Sequence, residues 1–423
     1  CLSDWSSDVC SSDLTYLYVV IGVMQACYLP FTTIVFRDRG VALEAIGVLG
    51  AVNSLLALAA GPVWGHLADA MLGRVAAFRL AIAAAAAGVG LFALGPADGI
   101  PGAALAAFAG AGLVPLLDAI GMEHLAEHGG DWGPLRATTS GSYALTCIAS
   151  GALVAGGGAL VIGPMYGVGA AAVLLGTMGL RVRGGFAATP SDAVDRRQRR
   201  EVEERAERNE YPGGNAEIAV AGSWRNRFGT ASLAFERSPG LAPFLLLSLF
   251  ANLGAGLFYA YGSLRIQELA RASGGGDGSS YVALASTIAA TVEIPFFLAG
   301  AAIAARLGLR ALYVMGLLGI GICSVIYALS PSAESLVVAR GLIGIGYSGM
   351  LLASVLSIRA IVPDELQATG QALFQSVSYG LAIAIAALAG GWIYGAIGSA
   401  PLFALAALIL FACIPLAMRV AAR

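Results

Sequence analysis

Apolar runs of about twenty residues, separated by short polar turns, recur along almost the whole chain. A helix needs roughly 20 apolar residues, each rising about 1.5 Å, to cross hydrocarbon about 30 Å thick. Each run therefore predicts one membrane-spanning helix whose backbone groups are satisfied internally. The expected spans are residues 15–36, 44–64, 75–95, 101–121, 136–157, 159–181, 241–264, 280–304, 310–330, 333–358, 367–391 and 399–419. One long polar interval, 182–240, divides them into an N-terminal six-helix bundle at 15–181 and a C-terminal six-helix bundle at 241–423. The expected fold is thus an all-α membrane protein with twelve transmembrane helices in two pseudo-symmetric bundles.

Polar segments outside the spans carry simpler readings. In the linker, RRQRREVEERAERNE (Arg196 to Glu210) sets Arg197 against Glu201 and Arg200 against Glu204 at i,i+4 spacing, which suits a solvated helix. Trp224 to Phe235 mixes Trp, Phe and Arg and is expected to lie along the interface. Residues 1–14, CLSDWSSDVCSSDL, lack the basic and apolar regions of a signal peptide and are expected to be a non-native leader, with the native start missing.

Composition agrees with a bilayer as solvent. The chain is 58% hydrophobic and 12% charged, with mean hydropathy +0.79, where a soluble chain carries about 25% charged residues. A net charge of −2 argues against nucleic acid as a partner. All the basic residues are arginine. Arg74, Arg79, Arg306, Arg310, Arg359 and the linker arginines fall on one side, whereas Arg37, Arg39, Arg265 and Arg271 fall on the other. The positive-inside rule then puts both termini in the cytoplasm of a bacterial inner-membrane protein. Cys27, Cys147, Cys323 and Cys413 stand singly in apolar runs, so neither a disulfide framework nor a zinc site is implied. No cofactor and no obligate protein partner is expected; membrane lipid, a small solute and protons are.

The two halves echo each other. GHLADAMLGR (Gly65 to Arg74) follows the second span and GAAIAARLGLR (Gly300 to Arg310) follows the eighth; RATTSGS enters the fifth and QATGQAL the eleventh. YLPFTTIVFRDRGVALEAIG, PVWGHLADAMLGR, VPLLDAIG, GPLRATTSGS, VEIPFFLAGAAIAARLGLR and VPDELQATGQAL together resemble the major facilitator superfamily, in the branch of lactose permease, nucleoside–proton symporters and phenylpropionate permeases. The resemblance covers nearly all of the chain after Leu14. It implies two bundles rocking about a site at the membrane midplane. Gly65, Asp69, Gly73 and Arg74 would form the gating hinge, although relatives usually have one residue fewer before the Gly-Arg pair.

Charge inside a membrane costs about 2.5–3.5 kcal/mol on insertion scales, so each ionisable group there needs a reason. Asp118 in the fourth span and Arg136 opening the fifth lie at similar depth and can pair. The matching acid and arginine of lactose permease bind sugar; a structural ion pair or a snorkelling Arg136 is the other reading. Glu293 is a mid-span acid that must be neutralised by a proton or a cation, as a proton carrier requires, or else sits hydrogen-bonded within the bundle. Arg340 stands where lactose permease has a lysine, yet the seventh span offers Asn252 and no acid, so Arg340 faces either Glu293 or an anionic substrate, or makes a structural pair. The coupling His and Glu of lactose permease fall on Ile343 and Gly346, and its ninth-helix arginine on Cys323. Lactose-type coupling therefore does not carry over, and Glu293 or Asp118 must move the proton. Gln25, Tyr28, Asn53, Asn252, Tyr259, Gln371 and Gln375 could line a polar cavity or serve as interhelical glue.

Two motifs are declined as sites, the first in favour of helix packing through small residues. GIGYSG (Gly344 to Gly349) lacks the preceding strand a nucleotide loop needs, and HLAEH (His124 to His128), placed in a short loop, lacks a third metal ligand. No nucleophile–base set points to an enzyme. The sequence thus predicts a secondary transporter of a sugar, nucleoside or aromatic acid, proton-coupled and importing. The alternatives are an efflux antiporter of the same fold, or a non-transporting sensor or scaffold worked by the linker.

Overall fold

A computed structural model describes residues 11–94, 99–128, 132–178, 232–363 and 366–420, and every regular element among them is helical. In the first half, α1 runs from Ser11–Tyr28 through a tight turn, Leu29–Phe31, into Thr32–Asp38. It is followed by α2 (Leu43–His66), α3 (Arg74–Leu94), α4 (Ile100–His128), α5 (Trp132–Gly157) and α6 (Ile162–Met178). The second half has α7 (Leu241–Ala272), α8 (Ser279–Leu307), α9 (Leu309–Leu329), α10 (Ala333–Ile361), α11 (Gln367–Gln375, continued through Ser376–Leu381 into Ala382–Ile397) and α12 (Ser399–Val420).

Ten stretches are long and apolar enough to cross a membrane. One of these, Gly133–Met178, holds both α5 and α6. Both pack along α1, so the chain reverses at Gly158–Val161, where Gly158 takes φ 61°. Helix α8 is a further span, bent by 43° between Phe296 and Leu298; its backbone leaves the helical region at Ala299. The described residues thus make twelve crossings.

The packing pattern of the first bundle repeats in the second. Helix α1 packs on α5 and α6 as α7 packs on α11 and α12; α4 packs on α2 and α3 as α10 packs on α8 and α9. The equivalence reaches single dihedral angles, since Gly73 before α3 has φ 80°, ψ 156° and Gly308 before α9 has φ 77°, ψ 152°. Small residues allow the close approaches: a side chain at Gly88 would strike Ala106 of α4, and one at Gly346 would strike Ile320 of α9. The GIGYSG stretch is accordingly a packing face, with Gly344 against Ala289 and Val292 of α8.

The bundles meet along α5–α8 and α2–α11. We call the face where α1 and α7 begin the terminal face. On the opposite face Arg271 of α7 bonds Asp38 of α1 at 2.6 Å, Gln267 donates to the same carboxylate at 3.2 Å, and Gly47 of α2 lies against Ala387 and Gly391 of α11. Contacts continue inward to Thr287, which donates to the Ala144 carbonyl at 2.8 Å, and to Leu58 beside Gly380. The bundles are therefore closed together on the side away from the termini.

Several boundaries differ from the sequence expectation. Helices α4 and α7 run on to His128 and Ala272, because a hydropathy run ends at its first charges whereas a helix continues past the hydrocarbon. HLAEH is consequently the last turn of α4 rather than a loop, and no group of three metal-ligating residues occurs among the described residues. Residues 11–14 belong to α1, with Leu14 buried. The charged run Arg196 to Glu210 lies outside the described residues, and of Trp224 to Phe235 only residues 232–235 are described, within a helical turn at 232–237.

Candidate transport site

Glu293 lies within electrostatic range of two arginines carried by different helices. Glu293 stands midway along α8; the charges acting on it are Arg136, reaching from the first turns of α5, and Arg340, reaching from α10. The second-bundle helices α8 and α10 pack together, and α5 packs on α8 across the interface, so the cluster joins both bundles. Tyrosines surround it: Tyr143 of α5, Tyr259 of α7 and Tyr347 of α10 all lie within electrostatic reach of Glu293. The rings of Tyr259 and Tyr347 meet edge to face at 6.1 Å. The Arg340 guanidinium lies 5.0 Å from the Phe258 ring centroid, a cation–π contact. Its Nε and Nη1, like the Tyr259 hydroxyl, are buried with no hydrogen-bond partner among the described residues.

Four other expected site residues have partners outside this cluster. Asp118 accepts the Tyr18 hydroxyl at 2.6 Å, tying α4 to α1, and no Asp118–Arg136 ion pair forms among the described residues. Tyr28 does not face a cavity: its ring packs edge-on against Phe92 of α3 at 5.4 Å and Tyr166 of α6 at 6.2 Å, because the tight turn after it directs this part of α1 into the first bundle. Asn252 is buried and donates to the Ser248 carbonyl one turn back at 2.8 Å. Gln371 donates to the Val355 carbonyl at 3.1 Å, bridging α11 to α10, and Gln375 is exposed. Gln25 and Asn53 are half-buried.

At the hinge, Arg74 approaches Asp69 at 3.8 Å and Glu123 of α4 at 2.9 Å. All three belong to the first bundle. A side chain at Gly65 would meet open space, so close backbone approach is not its role in this conformation; it borders a small cavity of about 140 Å³ between α2 and α4. The extra residue before Gly73 is absorbed by a π-turn, Leu67–Leu72, the usual consequence of one residue added to a helix.

The sequence profile of the MFS_1-like family matches residues 12–405. The chain belongs to the MFS_1-like family. No protein of curated function matches it. Among solved structures, a point mutant of the nucleoside transporter NupG superposes with a TM-score of 0.74 at 14% identity, covering 96% of this chain and 99% of NupG. A mutant peptide transporter POT gives 0.63 at 16% identity, covering 97% and 96%. A POT family transporter in complex with 5-aminolevulinic acid gives 0.64 at 12% identity, covering 95% and 94%. At these identities the likeness is one of fold.

This MFS_1-like chain is therefore an integral membrane protein of transporter fold, and not an enzyme. Sequence reasoning found its intramembrane charges because they interrupt apolar runs. It missed Tyr143, Tyr347 and Tyr18, whose signal was a phenol hydroxyl inside hydrocarbon. It also passed over Asp38 and Gln267, which lie at helix ends where polar residues are ordinary.

Proposed function

We propose that the chain is a secondary active transporter that imports a small solute with protons across the bacterial cytoplasmic membrane by alternating access. The observation that carries this reading is the convergence of Glu293, Arg136 and Arg340 between the two bundles. A carboxylate at that depth is expensive unless a cation or proton neutralises it, so it can load and unload a proton as the bundles rock. Asp118 is held by Tyr18 within the first bundle and is the weaker candidate for the carrier. The arginine distribution supports cytoplasmic termini. The conformation described is then closed on the periplasmic side. Gly65, Asp69, Gly73 and Arg74 act at the cytoplasmic hinge rather than on the solute.

The test is Glu293→Gln in proteoliposomes. Gradient-driven accumulation should be abolished while solute exchange partly survives. Unchanged accumulation would remove Glu293 as the proton carrier.

A further inference from the structure

We propose that the solute is an organic monoanion, a carboxylate on a flat or apolar body, received by Arg340 between α7 and α10. This rests on the transport reading and narrows it to one chemical class. Two guanidinium groups act on a single carboxylate at the bundle interface, so the cluster of Glu293, Arg136 and Arg340 has one positive charge in excess. An uncompensated cation in a low-dielectric setting is costly, and an incoming anion removes that cost.

The hydrogen-bond inventory points the same way. A guanidinium offers five donors in a planar fork that matches a carboxylate. Among the described residues Arg340 has Nε and Nη1 buried without an acceptor; the Tyr327 hydroxyl beside the guanidinium donates to the Leu336 carbonyl, and the Phe258 face supplies no acceptor. The head group lies against α7 at Gly262, where a side-chain carbon would be 2.8 Å from Nη1. Tyr143, Tyr259 and Tyr347 furnish aromatic walls, and the Tyr259 hydroxyl is a free donor. A neutral sugar would instead require a dense set of uncharged donors and acceptors. Asn252 and Gln371 each give one amide N–H to a helix carbonyl, of Ser248 and Val355, and Tyr28 is packed inside the first bundle.

The arrangement also couples the anion to the proton. Glu293 is faced by Arg136, Arg340, Tyr143, Tyr259 and Tyr347, and its carboxylate competes with the solute for the two arginines. A proton on Glu293 frees both cations for the anion. One proton and one monoanion then enter together, and the carrier's net charge is unchanged.

The full chain in proteoliposomes is given radiolabelled benzoate, hexanoate and indole-3-acetate, their amides, uridine and methyl galactoside, with an inward proton gradient. At least one acid should accumulate while its amide does not, and Arg340→Gln should lower that uptake by roughly tenfold or more, the worth of a charge-assisted hydrogen bond. Arg340→Lys should restore part of it. A second measurement needs no variant, because a large excess of the amide should leave uptake of the acid unchanged. Accumulation of uridine or methyl galactoside, competition by the amide, or acid uptake indifferent to Arg340→Gln in a monodisperse protein overturns the anion and leaves transport standing. No movement of any probe, with or without the gradient, overturns the transport reading itself.

Discussion

The hydroxyl of Tyr18 donates to the Asp118 carboxylate at 2.6 Å and joins α1 to α4. Bonds to charged groups are the strong members of their class, and Asp118 is only half-buried, so Tyr18→Phe should cost about 1–2 kcal/mol. Thermal unfolding in detergent measures this, and an unchanged melting temperature would mean that water takes over the bond. The same residues mark the limit of sequence reading at this scale. Asp118, Arg136, Glu293 and Arg340 were legible as exceptions in apolar runs, because the cost of a charge in hydrocarbon depends only on its depth. Their partners were not: the depth of Asp118 and Arg136 allowed a pair, yet Asp118 takes the Tyr18 hydroxyl and Arg136 lies within electrostatic range of Glu293.

At the scale of elements, helix ends are held by backbone geometry and by arginine caps. Arg39 donates to the Phe92 and Ala93 carbonyls at 2.6 and 2.9 Å, closing the C-terminal end of α3, and Arg79 does likewise for α6 through the Thr177 carbonyl. Between α2 and α3 the chain needs a conformation essentially confined to glycine, at Gly73. Gly73→Ala should therefore cost about 1–3 kcal/mol and lower the yield of folded protein. The outcome is read by size-exclusion of detergent extracts, and a wild-type profile would show that the π-turn before it relaxes to absorb the strain. The glycine was visible in the sequence, as was its echo at Gly308. The π-turn was not, because an added residue can equally be looped out, and the choice is made by the packing of α2 on α4.

For the whole molecule, the contacts that distinguish one conformation from the other lie on the face away from the termini. Asp38 and Arg271 are partly exposed, at 38% and 44%, so their pair contributes no more than about 1 kcal/mol. Arg271→Gln should accordingly shift the closed-to-open ratio by only about fivefold. Pulsed electron spin resonance between labels at Ala42→Cys and Ala272→Cys would report it as a growing long-distance component; an unaltered distribution would assign closure to the small-residue contact of Gly47 with Ala387 and Gly391. The sequence by itself determined the helical class, the twelve spans, the two-bundle repeat and the location of the rare charges. Each of these follows from run length and local polarity against a bilayer of fixed thickness. Which charges meet, which tyrosines join them and which face is closed were decided only by the tertiary structure. Those depend on the rotation and tilt of each helix, set by close packing across α5–α8 and α2–α11, and no periodicity within one span records them.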